Sequence, residues 1–369
     1  MEVTVVEQAP EFRDGGQNID VRGAARTVLE RMGLFEAVKA QGTGEQGLAF
    51  VDENDEIVAE FDEAQLGSNS FTAELEILRG DLARLLYDHS RAQVTYRFGD
   101  HLTALEEIGE EVAVTFAHGG SQRFDLVVVA EGATSATRQL LFGPEVTRKP
   151  YDLYVAYFTI PRADGDGDIA RWYNAPGGRG LCLRPDNKGT TRALLTLQQA
   201  PAGYEHLPPA EQQALLQQRF ADAGWQAPRI LAGLATAPDF YFDFVSQVKV
   251  ASWTKGRVVL TGDAAWCAGP FGVGTSQALV GAYVLAGELH RHAGDHRAAL
   301  AAYEHRLRLY VEEGQDVPTL APRLASPQSR LGIAVQHAAL RVAAAPGIRQ
   351  VIARLTAPPT DAIELPEYE

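Results

Sequence analysis

The segment from Gly256 to Gly274 constrains the fold more than any other part of the chain. Gly256-Arg257-Val258-Val259-Leu260-Thr261 holds a short β-branched run suited to a buried parallel strand, and it ends in Gly262-Asp263. Pro270-Phe271-Gly272-Val273-Gly274 then leads into a long helix. Leu279, Ala282, Tyr283, Ala286 and Leu289 recur along it at three-and-four spacing, which predicts one buried apolar face. Strand, glycine-containing turn and helix in that order form the unit of doubly wound α/β folds, which bind ligands at the carboxyl ends of their strands. At that end Asp263 offers a carboxylate to a polyol hydroxyl, and the helix amino end favours negative charge.

Two more strands of this kind precede it. Met1-Glu2-Val3-Thr4-Val5-Val6-Glu7 is β-branched and ends in the residue type that delivers a carboxylate to a ribose hydroxyl. By itself such a run is most simply a structural strand. In dinucleotide-binding units a strand, a Gly-x-Gly-x-x-Gly turn and a helix come about 20 residues before that acidic residue. No such turn precedes Glu7, and Gly177-Gly178-Arg179-Gly180 has a different spacing and no helix after it. The expectation is a Rossmann-like unit lacking its first strand and glycine-rich turn, completed in the natural protein by upstream residues and otherwise left with two open strand edges. Phe124-Asp125-Leu126-Val127-Val128-Val129-Ala130 is the third strand, predicted to be buried, and it ends in Glu131-Gly132.

Between these strands the periodicity changes. A helix is predicted from Ala24 to Met32, closed by Gly33, and a hairpin over 48–60 around Asp52-Glu53-Asn54-Asp55. Leu78-Arg79-Gly80-Asp81 opens another helix, with Asp81 placed to cap the amides of Leu82 to Leu86. From Tyr151 onward short alternating segments predict an antiparallel sheet, interrupted by a helix that starts after Pro208-Pro209 and ends near Gly224. Helices broken at Pro318, Pro322, Pro327 and Pro346 fill the C-terminal part. The predicted organisation is 1–150 and 251–310 as two parts of one nucleotide-binding domain, 151–250 as a substrate domain, and 311–369 as C-terminal helices.

Charge and cysteine content exclude several classes. A formal net charge of −15 over 369 residues repels nucleic-acid phosphates and anionic lipid, so an anionic ligand must be held by local groups. Cys182 and Cys267 give neither metal spacing nor a disulfide framework, which fits a reducing, cytoplasmic location. The longest apolar run, around Ala278 to Ala286, is too short to span a bilayer.

Together, Glu7 after its strand, Leu78-Arg79-Gly80-Asp81-Leu82, Glu131-Gly132, and Gly262-Asp263-Ala264-Ala265 with Pro270 to Gly274 resemble the FAD-dependent aromatic hydroxylases. These are the class A flavoprotein monooxygenases, which include para-hydroxybenzoate hydroxylase and the tetracycline-inactivating monooxygenases. The resemblance runs from Met1 to about Tyr310. It implies an α/β fold: a Rossmann-like FAD-binding domain with an inserted, mainly antiparallel substrate sheet and C-terminal helices.

By that resemblance Glu7 binds the adenosine ribose of FAD, Arg79 approaches its pyrophosphate or ribityl region, and Asp263 binds the ribityl chain. Pro270, Gly272, Val273 and Gly274 line the flavin ring, with Pro270 and Gly272 shaping the space where oxygen reacts. Glu131-Gly132 stands where the family has an Asp-Gly pair associated with FAD and NAD(P)H, and Trp266-Cys267 where a histidine is common. The implied reaction is reduction of FAD by NAD(P)H, formation of a flavin C4a-hydroperoxide with oxygen, and hydroxylation of an aromatic or polyketide-like small molecule. The cofactor carries the chemistry, so no Ser-His-Asp set or metal cluster is required. The alternative is an FAD-binding-deficient fragment or non-catalytic member of the same family. A flavin halogenase is disfavoured, because its tryptophan-rich motif is not visible.

Other motifs have plainer readings beside the functional ones. Arg79-Gly80-Asp81 as an adhesion tripeptide competes with a helix cap. His290, His292 and His296 as a metal site compete with charge complementation at a helix end. Phe240, Tyr241, Phe242 and Phe244, like Trp172 and Tyr173, serve equally as a substrate wall or as sheet core. Arg84, Arg91 and Arg97 are read as solvated faces.

Overall fold

The computed structural model describes residues 1–62, 75–269, 273–317, 321–345, 347–348 and 363–368. Two parallel strand pairs form one layer of the fold. Thr4–Glu7 pairs with Thr95–Phe98, and Val127–Val129 pairs with Val258–Leu260, which carries the short antiparallel strand Thr254–Lys255 on its other side. Val6 and Val127 lean on the same backing layer, the antiparallel strands Leu102–Ile108, Glu111–Phe116 and Ser121–Phe124, through Val112, Val114 and Phe116. Val5 and Val128 stay 38% and 45% exposed, so burial on both faces, which the β-branched runs predict, is not reached. Among the described residues the two pairs belong to separate sheets.

The long helix Gly274–Arg291 holds this layer together. Val280, Val284 and Leu285 pack with Ala25, Val28 and Leu29 of the helix Ala24–Arg31, with Val258, Val259 and Leu260, and with Tyr303 and Leu307 of the helix His296–Gly314. The predicted apolar stripe is therefore rotated. Leu279, Tyr283 and Leu289 are only half-buried, and Ala282 and Ala286 are exposed. The cause is steric: glycines, not large side chains, lie where the helix is most closely approached. A Cβ on Gly281 would come within 2.8 Å of the Trp266 ring, and one on Gly287 within 2.1 Å of the Tyr368 ring. No described helix is long and apolar enough to cross a membrane.

The second unit is a seven-stranded sheet. Its order is Tyr241–Val250, Val146–Pro161, Thr190–Gln198, Arg179–Pro185, Ala170–Ala175, Gly47–Val51, Ile57–Asp62. All pairings are antiparallel except that of Gly47–Val51 with Ala170–Ala175, through which the hairpin around Asp52 to Asp55 joins the sheet. One face, with Tyr154, Phe158, Leu195 and Phe242, buries itself against the helices Pro209–Phe220 and Ala227–Leu234. The opposite face carries, in register across six strands, Tyr241, Tyr157, Leu194, Cys182, Trp172 and Phe50. The C-terminal helix Arg330–Ala343 leans on the far end of this face, where Leu340 and Ala343 meet Phe50 and Phe61.

Candidate functional site

Asp263 begins a one-turn helix, Asp263–Trp266, directly after the strand Val258–Leu260. Gly262 makes that turn at φ 57°, a conformation that costs a residue with a Cβ more than it costs glycine. The Asp263 side chain reaches solvent at the first residue of the long helix, its Oδ1 3.6 Å from where a Cβ on Gly274 would lie. Carboxylate and helix amino end are thus adjacent, as the sequence predicts. Loss of bulk water to the surrounding protein holds the Asp263 carboxyl above the usual carboxylate range, against the pull of the Arg79 guanidinium and the neighbouring Cys267 thiol.

Arg79 comes from the start of the helix Arg79–Ser90, and its backbone is fixed by a hydrogen bond from its own N–H to the Gln17 carbonyl at 2.9 Å. The loop 14–17 lies against this helix start so closely that a Cβ on Gly80 would fall 1.7 Å from the Asp14 carbonyl oxygen. Asp81 does not cap. Its carboxylate pairs with Lys188 at 2.9 Å, because the loop after Pro185 approaches from the side, and among the described residues no side chain caps the first turn. The exposed Glu7 accepts the Ala9 N–H at 2.7 Å on one carboxylate oxygen.

Glu131 is engaged within its own loop. Its carboxylate accepts the Ser135 hydroxyl at 2.7 Å, the Thr137 N–H at 3.0 Å and the Thr137 hydroxyl at 2.6 Å, closing the turn that starts the helix Ala136–Phe142. The buried Arg138 donates to the carbonyls of Ala133 at 2.6 Å and Ala264 at 3.0 Å, and so ties the Glu131-Gly132 turn to the Gly262-Asp263 turn. Sequence reasoning predicted neither this helix nor a role for Arg138, whose reach to the Ala264 carbonyl has no local signal. Val273 and Gly274 stand at the start of the long helix, whose Ser276 hydroxyl accepts the Arg22 N–H at 3.0 Å. Pro270, Phe271 and Gly272 lie outside the described residues, as do Pro318 and Pro346.

The edge strand Tyr241–Val250 borders this cluster. The Cys267 thiol donates to the Ser246 carbonyl at 3.5 Å, and the Gln247 amide donates to Tyr151 Oη at 3.2 Å and to the Ala268 carbonyl at 3.4 Å. Phe242 is buried, with Phe240 and Phe244 beside it, on the helix-covered face of the sheet, leaving Tyr241 from that run on the free face. Tyr173 also belongs to the covered face, donating to the Ala223 carbonyl at 2.9 Å. Trp172 lies on the free face, its Nε1 donating to Asn174 at 2.7 Å, and Asn174 donates to Gln336 of the C-terminal helix at 2.6 Å. Deeper in, Arg184 bridges two buried carboxylates, Glu45 at 2.8 Å and Glu76. Burial pushes the Glu45 carboxyl up to about 7 despite the Arg184 charge. His292 faces Glu288 at 3.4 Å near the end of the long helix. Arg84 stacks on Phe12 at 3.9 Å and pairs with Asp14, so it is more than a solvated charge.

A mixed α/β frame that brings an exposed carboxylate and a helix amino end to the edge of a large, mainly antiparallel sheet has the layout of the flavoprotein hydroxylases. Comparison with known proteins agrees. The FAD binding domain family matches residues 1–319. The FAD-dependent monooxygenase asL6 of Sarocladium schorii is 35% identical over 393 aligned positions, covering 100% of this chain and 92% of its own. The monooxygenase CTB7 of Cercospora beticola is 34% identical, with the same coverage of 100% and 92%. Among solved structures, tetracycline destructase Tet(51) superposes with a TM-score of 0.82 at 29% identity, over 100% of this chain and 92% of its own. The HpxO protein of Klebsiella pneumoniae, solved with FAD and uric acid, shares the fold with a TM-score of 0.74 at 22% identity, over 96% and 90%. The chain belongs to the FAD-binding family and is an FAD-dependent monooxygenase of the aromatic-hydroxylase type.

Proposed function

We propose that the protein hydroxylates an aromatic or polyketide-like small molecule, using oxygen and FAD reduced by NAD(P)H. The observation that carries this reading is the convergence of Asp263, the Gly274 helix start and Arg79 beside the free face of the sheet. These residues suit FAD on their own chemistry. Asp263 is an accessible acceptor for ribityl hydroxyls, and Arg79 supplies the cation that a pyrophosphate needs in a chain of net charge −15. Gly80 keeps the loop 14–17 against the helix start from which Arg79 projects. Glu7 takes the adenosine ribose, while backbone groups of Pro270, Gly272, Val273 and Gly274 line the flavin ring.

Bound FAD supplies the activation and transfer of oxygen, and the chain supplies position and electrostatics. The helix amino end at Gly274 favours negative charge on the ring. Arg138 keeps the Glu131 and Asp263 turns in register, and Glu131 braces its turn. The substrate lies between this cluster and the sheet face bearing Tyr157, Leu194 and Trp172. Residues 1–150, apart from the inserted strands Gly47–Val51 and Ile57–Asp62 that join the substrate sheet, and 251–310 act as the FAD domain, 151–250 as the substrate domain, and 311–369 as C-terminal helices.

One observation favours a second reading, a family member that holds FAD weakly. Val5 and Val128 are solvent-exposed on two parallel pairs that share a backing layer, so among the described residues this layer is covered on one face only. Purified protein with added FAD distinguishes the two. Retained flavin absorbance and substrate-stimulated NAD(P)H oxidation under oxygen support the monooxygenase, whereas folded protein that takes up no FAD overturns it for this chain.

A further inference from the structure

Two polar side chains on the edge strand have no part in the roles above. Tyr241 is 54% exposed, and its ring stands beside Tyr157 on the free face of the sheet, centroids 6.4 Å apart and 27° from parallel. Its hydroxyl donates to Asp243 Oδ2 at 2.6 Å, two residues along the same strand. The other oxygen of Asp243 accepts the Phe244 N–H at 2.8 Å, which holds the carboxylate in that orientation.

This pairing fixes the polarity of what Tyr241 can bind. A tyrosine hydroxyl has one proton and can also accept. With the proton committed to Asp243, only acceptor capacity remains, so a ligand reaching Tyr241 must bring the donor. The pair sits where the sheet meets the cofactor cluster. The Arg79 charge acts on both Tyr241 and Asp263, and Cys267 senses both Asp263 and Asp243. Displaced water and the neighbouring Asp243 carboxylate hold the Tyr241 phenol well above its ordinary range, despite Arg79, so it keeps its proton.

We propose that Tyr241, oriented by Asp243, is a specificity-determining acceptor for a hydroxyl group of the substrate, so that this face takes protonated phenols and enols and discriminates against their methyl ethers. Tyr241 touches the ligand and Asp243 is a positioning residue. The proposal rests on the reading that substrate binds this face, and it assigns the chemical group that is recognised there.

The probes are 4-nitrophenol and its methyl ether, 4-nitroanisole, followed by equilibrium dialysis below the pH at which the free phenol ionises, with and without FAD. The expected result is that the phenol binds the protein about tenfold more tightly than the ether, the worth of one good hydrogen bond. Tyr241→Phe removes the difference by weakening the phenol alone. Asp243→Ala leaves the ring in place, frees its hydroxyl to donate, and shrinks the ratio by strengthening the ether; thermal melting confirms that both variants are folded. Equal affinities in the unmodified protein, or a ratio that survives Tyr241→Phe, overturn the proposal. So does a Tyr241→Phe variant that loses FAD uptake with an unchanged ratio, since the hydroxyl recognised is then the cofactor's. Failure of the unmodified protein to take up FAD removes the monooxygenase reading, while the phenol-to-ether ratio still decides the role of Tyr241.

Discussion

Asp263→Ala should lower FAD retention after gel filtration by about tenfold or more, with the melting temperature nearly unchanged, because the side chain faces solvent and makes few packing contacts. Unchanged retention would remove Asp263 from the site. Gly80→Ala should behave differently. Its Cβ meets the Asp14 carbonyl at 1.7 Å, so backbone must move, costing about 1 to 3 kcal/mol by denaturant titration, and FAD retention should fall with it. A variant as stable as the parent would show that the loop 14–17 is free to shift. The places of Glu7, Arg79, Glu131 and Asp263 at or just beyond strand and helix ends were legible in the sequence, and their part in holding FAD is proposed from those places. Arg138 was not, since its importance lies in reaching the Ala264 carbonyl, 126 residues away. Tyr241 was legible only as one of four aromatics, and the alternation of the strand separates it from Phe242 once the register is known.

Among the elements, the long helix shows where periodicity reading stops. The helix itself and its start at Gly274 follow from the sequence, but the buried face does not, since hydrophobic spacing weights large residues and cannot see that Gly281 and Gly287 admit rings from elsewhere. The strand Ala170–Ala175 and the helix Ala227–Leu234 were not predicted; the strand has a local partner in Arg179–Pro185, but its other neighbour, Gly47–Val51, lies far along the chain. The hairpin was foreseen, yet its parallel pairing with Ala170–Ala175, more than 100 residues on, leaves no local signal. Gly287→Ala tests the glycine argument. Its methyl group displaces the Tyr368 ring, so hydrogen exchange over 363–368 should rise sharply while the core around Val280 and Val284 stays protected. Protection of the tail equal to that of the parent would count against the contact.

For the whole molecule, the burial of Glu45 makes stability depend on pH, even with Arg184 beside it. Glu45 is raised to about 7, so the folded state holds its proton more tightly than the unfolded chain. That contribution is complete at pH values below the ordinary glutamate range and is lost as the pH rises through about 7. Comparing melting temperatures of the parent and Glu45→Gln between pH 5 and 8, the parent should lose ground steadily as pH rises. A constant gap would mean that Glu45 does not titrate in this range.

The contacts that close the long helix also bear on when the protein can become functional. Arg31 donates to the Pro366 carbonyl at 2.7 Å, and Tyr283 to the same oxygen at 2.9 Å, so the first helix is tied to residues made more than 300 positions later. At roughly 5 to 20 residues per second of synthesis, the first helix waits tens of seconds for that contact. The sheet of 146–250, apart from its hairpin, is made in one stretch and can collapse earlier. The turns that carry Asp263 and Gly274 are made after that sheet, so on the ribosome the substrate sheet is complete before there is any place for a flavin to bind.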